Sequence, residues 1–113
     1  MDPSLIPFFR PRGVVLVGAS HDPGKLGYGV AANLVQSGYQ GAIHFVNPKG
    51  GRLFDRPVHA DLSLVPDPVD LAVLIIPASP VPEALRACGR RSVRAAIVLS
   101  GGFREVGPEG TAL

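Results

Sequence analysis

The chain has 113 residues, 46% of them hydrophobic and 18% charged, which predicts one domain with a buried core and excludes a disordered protein. Its net charge of +2, from eleven basic and nine acidic residues, is too small for a general nucleic-acid-binding protein. One cysteine excludes a disulfide framework, no apolar run reaches membrane-spanning length and no signal peptide is evident, so we expect a cytoplasmic protein.

An N-terminal arm, residues 1–12, is predicted to precede the domain proper at residues 13–113. Prolines within the arm prevent a long helix, and the aromatic pair Phe8 and Phe9 is expected to dock on the domain. The domain opens with Val14–Val17, an uncharged and mostly β-branched run. Such a run is typical of a strand that is buried on both faces.

A loop of small residues follows this first strand. Gly18–Ser20 end the strand, a loop with Pro23 and Gly24 comes next, and a helix is predicted from about Gly27 to Ser37. In a strand–turn–helix unit of this kind, small residues let the backbone approach an anion, and free N–H groups at the helix start face it. The sequence therefore predicts a phosphate-binding crossover.

Three further apolar runs predict three more strands, with one helix between the last two. The strands are Ala42–Val46, Leu71–Ile76 and Ala95–Leu99. Ser79 is predicted to cap the intervening helix, with Pro80 at its first position. The stripe buried by this helix is expected to consist of Val81, Ala84, Leu85 and Cys88.

Two stretches carry no strand pattern. Residues 52–68 are predicted to be irregular, apart from a short helical turn near residues 61–64. Residues 105–113 have the pattern of a helix that is only beginning, so we expect the last helix and strand of the domain to be cut off. The sheet would then keep an exposed edge, which permits a homodimer.

Alternation of apolar strands with helices predicts an α/β fold, a doubly wound parallel sheet of Rossmann type with right-handed crossovers. In such sheets the ligand lies outside the carboxyl ends of the strands. Each predicted strand ends in small or turn-forming residues, and all four segments should therefore meet at one rim. These segments are Gly18–Ser20, Asn47–Lys49, Pro77–Ser79 and Ser100–Gly102.

The residues at this rim narrow the choice of phosphate ligand. A nicotinamide-binding site has the fingerprint G-x-G-x-x-G and an acidic residue after the second strand, whereas this chain has Gly18-Ala19-Ser20 and Asn47-Pro48-Lys49. An ATP-binding P-loop is a worse fit, because five residues rather than four separate Gly18 from Gly24. A lysine after the second strand favours a phosphorylated ribose. Coenzyme A and NADP both carry a phosphorylated ribose, and both remain candidate ligands.

Several motifs occur together, in one order, over nearly the whole chain. They are Phe8–Arg12, Val17–Ser20, Asp22–Gly27, Val46–Lys49, Asp67–Ala72 and Ser100–Glu105. With them the chain resembles the N-terminal CoA-binding domain of the NDP-forming acyl-CoA synthetases. That domain is related to the one in the succinyl-CoA synthetase α subunit and to the one fused to bacterial protein-lysine acetyltransferases.

The resemblance implies a domain that binds coenzyme A and is not catalytic alone, because the phosphohistidine of these synthetases lies in a later domain. The further domains or subunit would be its partners. The loop after the first strand and Lys49 would hold phosphates, and the later strand ends would line the path of the adenine and pantetheine. The residues implied to bind CoA are Gly18, Ala19, Ser20, His21, Asp22, Pro23, Lys25, Asn47, Pro48, Lys49, Pro77, Ala78, Ser100, Gly101 and Gly102.

The histidines and the cysteine give no catalytic or metal constellation. His44 lies inside an apolar strand and is predicted to be a packed, hydrogen-bonded core residue, whereas His59 is expected at the surface. Cys88 is predicted to fill the core, since nothing basic accompanies it on its helix face. His21 lies in the phosphate loop, with no neighbouring acid to orient it.

Three functions are compatible with the sequence. The first is the CoA-binding domain of an NDP-forming acyl-CoA synthetase, an acid–thiol ligase. The second is a separate CoA-binding module, either regulatory or part of a protein acetyltransferase. The third is a fragment of an NADP-dependent oxidoreductase, which the absence of a substrate domain disfavours. We expect neither a nucleic acid nor a membrane as partner.

Overall fold

A six-stranded sheet forms the centre of the computed structural model, which describes residues 2–6 and 10–99. The strands are β1 (Gly13–Val17), β2 (Ala42–Val46), β3 (Arg52–Leu53), β4 (Arg56–His59), β5 (Leu71–Leu74) and β6 (Ala95–Val98). The α-helices in the described ranges are α1 (Leu26–Gln36) and α2 (Val81–Arg90), with short 3-10 helices at Pro3–Leu5 and Leu62–Leu64. No helix in those ranges is long and apolar enough to cross a membrane.

The sheet is doubly wound around β1. Its strand order is β3-β4-β2-β1-β5-β6, and every neighbouring pair is parallel except β3 and β4. The chain passes from β1 through α1 to β2 on one side, whereas β5, α2 and β6 lie on the other. The order therefore reverses beside β1, and a crevice opens at such a point in this class of fold. The predicted α/β fold with a parallel sheet is confirmed.

The core lies in two layers, one on each face of the sheet. Leu16 and Phe45 are fully buried with Ala31 on the α1 side, and Val15 and Leu74 are fully buried on the α2 side. Burial of each large apolar side chain contributes roughly 1.5–3 kcal/mol. Alternate residues of β1 enter different layers, which explains why its sequence is apolar without a polar face.

The prediction for residues 52–68 was wrong at residues 52–59, which form two strands, whereas the helical turn predicted near residues 61–64 is present as the 3-10 helix Leu62–Leu64. β4 extends the sheet beside β2, with Val58 opposite Phe45, and β3 pairs with β4 as an antiparallel hairpin. Each of these strands buries one apolar residue, Leu53 in β3 and Val58 in β4, and Pro57 interrupts the pattern. Strands this short show no periodicity, so the sequence offered no indication of them.

The start of α2 also differs from the prediction. Ser79 does not cap the helix; Pro80 is the N-cap residue, no side chain makes a capping bond, and the turn before it is closed by the Val81 N–H donating to the Ala78 carbonyl. Leu85 is 42% exposed and does not belong to the buried stripe, whereas Cys88 is buried as predicted. Proline already presets the backbone for helix entry, which makes a serine cap dispensable.

The predicted strand ends were one or two residues too long. β5 ends at Leu74 rather than Ile76, and β6 ends at Val98, although the Leu99 N–H still donates to the Leu74 carbonyl at 2.8 Å. The predicted roles of Phe8, Phe9 and residues 100–113 lie outside the described residues.

Asp70 fastens the N-terminal segment to the sheet. Its carboxylate, buried at the amino-terminal end of β5, accepts from the Arg12 N–H at 2.8 Å, from Arg12 Nε at 2.9 Å and from Arg12 Nη2 at 2.9 Å. The Asp70 N–H in turn donates to the Gly13 carbonyl at 2.9 Å. The Arg12 side-chain bonds lower the pKa of Asp70 to about 2.

We expect Asp70→Asn to lower the free energy of unfolding by about 1–2 kcal/mol, because charge-assisted hydrogen bonds to a buried carboxylate are lost. The pKa of Asp70 lies below its ordinary value of 3.8, so its contribution is present above that value and lost as the pH falls from about 4 towards 2. Urea unfolding at several pH values measures both effects. Asp67→Asn is the control, because the Asp67 side chain is 88% exposed beside Arg91, and equal losses for the two variants would contradict the assignment.

Candidate functional site

A cleft of about 440 Å³ opens at the carboxyl ends of the central strands. The residues at the ends of β1, β2 and β5 form its floor, the segment Ala60–Leu62 forms one wall, and α2 forms the other. The cleft therefore lies where the strand order reverses, as the fold predicts. Its lining consists of Val17, Gly18, Val46, Pro48, Ala60, Asp61, Leu62, Ile76, Pro80, Glu83, Ala84, Ala87 and Arg90.

The cleft surface is mostly apolar, and its charged groups are confined to the walls. Asp61, Glu83 and Arg90 are the ionisable residues of the lining. The Arg90 Nη2 donates to Glu83 at 2.8 Å, and this bond lowers the pKa of the Glu83 carboxyl, which is ionised at neutral pH. Two carboxylates and one guanidinium make the cleft a poor place for phosphates. It suits an uncharged part of a ligand, with a few polar contacts at its edge.

Close backbone packing shapes the loop after β1. Gly18 has φ +99°, and a Cβ placed there would lie 1.9 Å from the Ile75 carbonyl oxygen. A Cβ on Gly27 would lie 2.0 Å from the Gly18 carbonyl oxygen. Only glycine fits at either position, and as a result the first turn of α1 lies directly against the end of β1.

Short side chains hold this loop, residues 18–25, which we call the phosphate loop. The Ser20 hydroxyl accepts from the Asp22 N–H at 3.0 Å, and the Asp22 carboxylate accepts from the Gly24 N–H at 2.9 Å. Lys25 is the N-cap residue of α1 and makes no side-chain capping bond. The N–H groups of Ser20, His21, Leu26 and Gly27 meet no protein acceptor within residues 2–6 and 10–99. They form a set of donors suited to an anion.

Asn47 joins the turn after β2 to the phosphate loop. Its side-chain Nδ2 donates to the Ala19 carbonyl at 2.7 Å, and its Oδ1 accepts from the Lys49 N–H at 2.8 Å. The Asn47 N–H donates to the His59 carbonyl at 2.9 Å, which adds the end of β4. The loops after β1, β2 and β4 are thereby connected. Lys49, on an exposed turn, is held beside the phosphate loop.

Comparison with known proteins identifies the family to which this chain belongs. The family described as the CoA binding domain matches residues 12–109. The chain belongs to this family of CoA-binding domains.

Relatives and solved structures agree with that assignment. The chain is 41% identical over 111 residues to the ADP-forming acetate–CoA ligase I subunit alpha of Pyrococcus furiosus, covering 95% of this chain and 24% of that subunit. It is 35% identical over 108 residues to the ADP-forming acetate–CoA ligase II of Archaeoglobus fulgidus, covering 96% of this chain and 16% of that ligase. The structure of acetyl-coenzyme A synthetase 1 from Candidatus Korarchaeum cryptofilum, in complex with phosphate and ADP, superposes with a TM-score of 0.82 at 36% identity. That match covers 96% of this chain and 24% of the synthetase.

The CoA-binding domain brings most of the predicted site residues to one edge of the sheet. Gly18 and Pro48 line the cleft, Ala19 to Lys25 belong to the phosphate loop, and Asn47 and Lys49 lie on the joined turn. Pro77 and Ala78 follow β5 at the same edge and are exposed. The predicted site residues Ser100, Gly101 and Gly102 lie outside the described residues.

The sequence did not indicate the walls of the cleft. Ala60–Leu62 lay in a stretch predicted to be irregular, and Glu83 and Arg90 were assigned no role at the site. The helical turn predicted near residues 61–64 is started by the Asp61 side chain, which accepts from the Ser63 N–H, but the prediction assigned this turn no place at the site. Within the described residues, no three His, Cys, Asp or Glu side chains cluster closely enough to hold a metal ion.

His44 is a partly buried histidine on the α2 face of the sheet. Its ring lies 6.4 Å from that of His59, and its Nε2 atom is buried without a hydrogen-bond partner among the described residues. The predicted packing is therefore present, but a partner for this nitrogen is not. Burial lowers the pKa of His44, and the charges of His59 and Arg91 lower it further.

We expect the CoA-binding domain to lose stability as the pH falls below about 6.5. The folded state disfavours the charged His44 ring, whereas the unfolded chain protonates it near its ordinary value of 6.5, so its contribution is complete above that pH and declines below it. Urea unfolding at pH 7.5 and pH 5.5 measures the slope. His44→Gln should reduce this slope, and an unchanged slope would exclude His44 as its source.

Two glycines of α1 provide a matched test of the packing at the loop. Gly27→Ala should lower the free energy of unfolding by about 1–3 kcal/mol, because its methyl group would overlap the Gly18 carbonyl. Gly29→Ala should raise it by about 0.5–1 kcal/mol, since nothing lies within 4 Å and alanine favours the helix. Thermal and urea unfolding of both variants measure this, and equal effects would contradict the close approach.

Proposed function

We propose that this chain binds coenzyme A at the cleft and phosphate loop, as the CoA-binding part of an NDP-forming acyl-CoA synthetase. The observation that carries the proposal is the juxtaposition of an apolar cleft with a loop whose N–H groups meet no acceptor in the part of the chain that the structure describes, in a member of the CoA-binding-domain family. CoA has one uncharged arm, an adenosine and several phosphates, and therefore needs both kinds of surface.

The charges of the site support an orientation for the ligand. The phosphate loop offers the N–H groups of Ser20, His21, Leu26 and Gly27 to the pyrophosphate, whereas the carboxylates in the cleft walls disfavour phosphate there. Adenosine or pantetheine fits the apolar cleft. Lys49, on the turn that Asn47 bonds to the loop, is suited to a ribose phosphate. Its charge costs little desolvation, because the turn is exposed.

The catalytic part of the reaction lies elsewhere in this proposal. The synthetases interconvert acyl-CoA, NDP and phosphate with a carboxylic acid, CoA and NTP, and CoA is their substrate rather than a cofactor. The chain spans 24% of the length of the Pyrococcus furiosus subunit, so other parts of such an enzyme would supply the acyl phosphate and the phosphohistidine. The domain described above would bind CoA and aim its thiol.

The free edge of β6 supports a proposal about assembly. Among the described residues β6 pairs only with β5, and Ile97, Val98 and Leu99 are each 38–39% exposed. The remaining part of a synthetase or a second copy of the chain would cover this edge. Sedimentation of the chain alone distinguishes the two, because only the second gives a dimer.

Calorimetric titration with CoA, dephospho-CoA and NADPH tests the ligand. We expect CoA to bind most tightly, and dephospho-CoA to bind more weakly because it lacks the ribose phosphate. Tightest binding of NADPH would overturn the proposal and favour an oxidoreductase fragment.

Lys49→Ala should weaken CoA binding by about 5–10-fold, the loss expected for one charge-assisted contact. Dephospho-CoA should lose less affinity, because the group that Lys49 would pair with is absent. Arg94→Ala is the matched control: it removes one positive charge at the opposite edge of the sheet and should leave the affinity for CoA unchanged. Equal affinity of Lys49→Ala and the unsubstituted chain would remove this lysine from the site.

A further inference from the structure

The β3–β4 hairpin has an unusual turn. Its two central residues, Phe54 and Asp55, have φ +49° and +63°, a region that bulky side chains rarely adopt and that hairpins usually fill with asparagine and glycine. The Arg52 Nη2 donates to the Asp55 carbonyl at 2.6 Å and closes the turn. A phenylalanine held in this conformation requires a compensating contact.

Phe54 makes such a compensating contact with Tyr28 of α1. Its ring centroid lies 5.2 Å from that of Tyr28 with an angle of 53° between the rings, a favourable tilted arrangement. Tyr28 lies in the first turn of α1, immediately after Gly27. The hairpin thus contacts α1 three residues beyond the end of the phosphate loop.

His21 provides a second contact, at the strand end of the same loop. Its Nε2 lies 2.9 Å from the Arg52 carbonyl, which can only accept, so His21 donates from Nε2. Gly51, with φ +92°, lets the chain pass beside the ring, and a Cβ there would lie 3.4 Å from Nε2. His21 therefore faces the hairpin with this nitrogen.

We propose that the β3–β4 hairpin is a clamp that holds the phosphate loop in its anion-binding shape. His21 and Phe54 are its positioning residues, and they act through the loop rather than by touching the ligand. This inference rests on the proposed function, because the loop is taken to bind the pyrophosphate of CoA.

The loop needs such a clamp because Asn47 ties only Ala19 to the rest of the fold, whereas the bonds made by the side chains of Ser20 and Asp22 are local and exposed. The bonds of Ser20 and Asp22 span two residues each. Bonds of this kind compete with water and do not fix the loop against the rest of the fold. The contacts of His21 with Arg52 and of Phe54 with Tyr28 connect the loop and the first turn of α1 to a different part of the sheet. Donors held in place before the ligand arrives bind it with a smaller entropic cost.

The first experiment is calorimetric titration of the whole chain and its His21 variants with CoA. We expect His21→Ala to weaken binding by about 5–10-fold, since one hydrogen bond that shapes the loop is lost. His21→Gln should restore most of the affinity, because its amide nitrogen reaches the same carbonyl. The melting temperature should change little in either variant.

The second experiment removes the aromatic contact. Phe54→Leu keeps an apolar side chain in the same backbone conformation but removes the ring, and should weaken CoA binding by a similar factor. Asp55→Gly is the matched control: it relieves the positive φ of Asp55 and leaves the contacts of His21 and Phe54 in place, so it should keep the affinity while raising the melting temperature.

Amide hydrogen exchange of the ligand-free chain gives a readout independent of CoA. In His21→Ala and Phe54→Leu, exchange should quicken at residues 19–27 and stay unchanged in β1 and β5. Unaltered exchange at residues 19–27 would overturn the clamp, as would His21→Ala binding CoA as tightly as the unsubstituted chain. If the unsubstituted chain fails to bind CoA, the proposed function falls, and the exchange data still decide on the clamp.

Discussion

Three backbone segments, at Gly18, Gly27 and Ile75, pack closely at the end of β1, and this packing determines how the candidate site is arranged. The Gly18 Cα lies so close to the Ile75 carbonyl, and the Gly27 Cα so close to the Gly18 carbonyl, that a methyl group at either glycine would overlap an oxygen. This packing positions the start of α1 against the strand ends. The donor groups of the phosphate loop and the floor of the cleft consequently meet at one edge.

The fold could be predicted wherever burial imposes a pattern. β1, β2 and β5 carry apolar runs because their neighbours cover them, and α1 carries a stripe that includes the buried Ala31. β6 carries an apolar run as well, although only Ala95 in it is buried. The β3–β4 hairpin could not be predicted, since each of its short strands buries a single residue and its turn has Phe54 where glycine is usual. Its conformation depends on a tertiary contact, which no local preference encodes.

The site could be predicted only as far as it lies at strand ends. Topology places Gly18, Pro48 and the loop together at one edge of the sheet, as predicted, and the family matched over residues 12–109 is one of CoA-binding domains. The orientation of individual side chains needed coordinates. Asn47 ties two loops together, and His21 bonds to a carbonyl, although both occupy positions where sequence reasoning expected ligand contacts.

The position of the bond between Asp70 and Arg12 affects how the sequence of this fold can vary during evolution. The bond lies at the amino-terminal edge of the sheet, while the cleft lies at the carboxyl edge. Variation among the loops at the cleft therefore leaves the bond between Asp70 and Arg12 intact. Proteins with this fold can therefore differ at the cleft while they retain the Asp70–Arg12 bond at the opposite edge of the sheet. This separation favours evolutionary diversification.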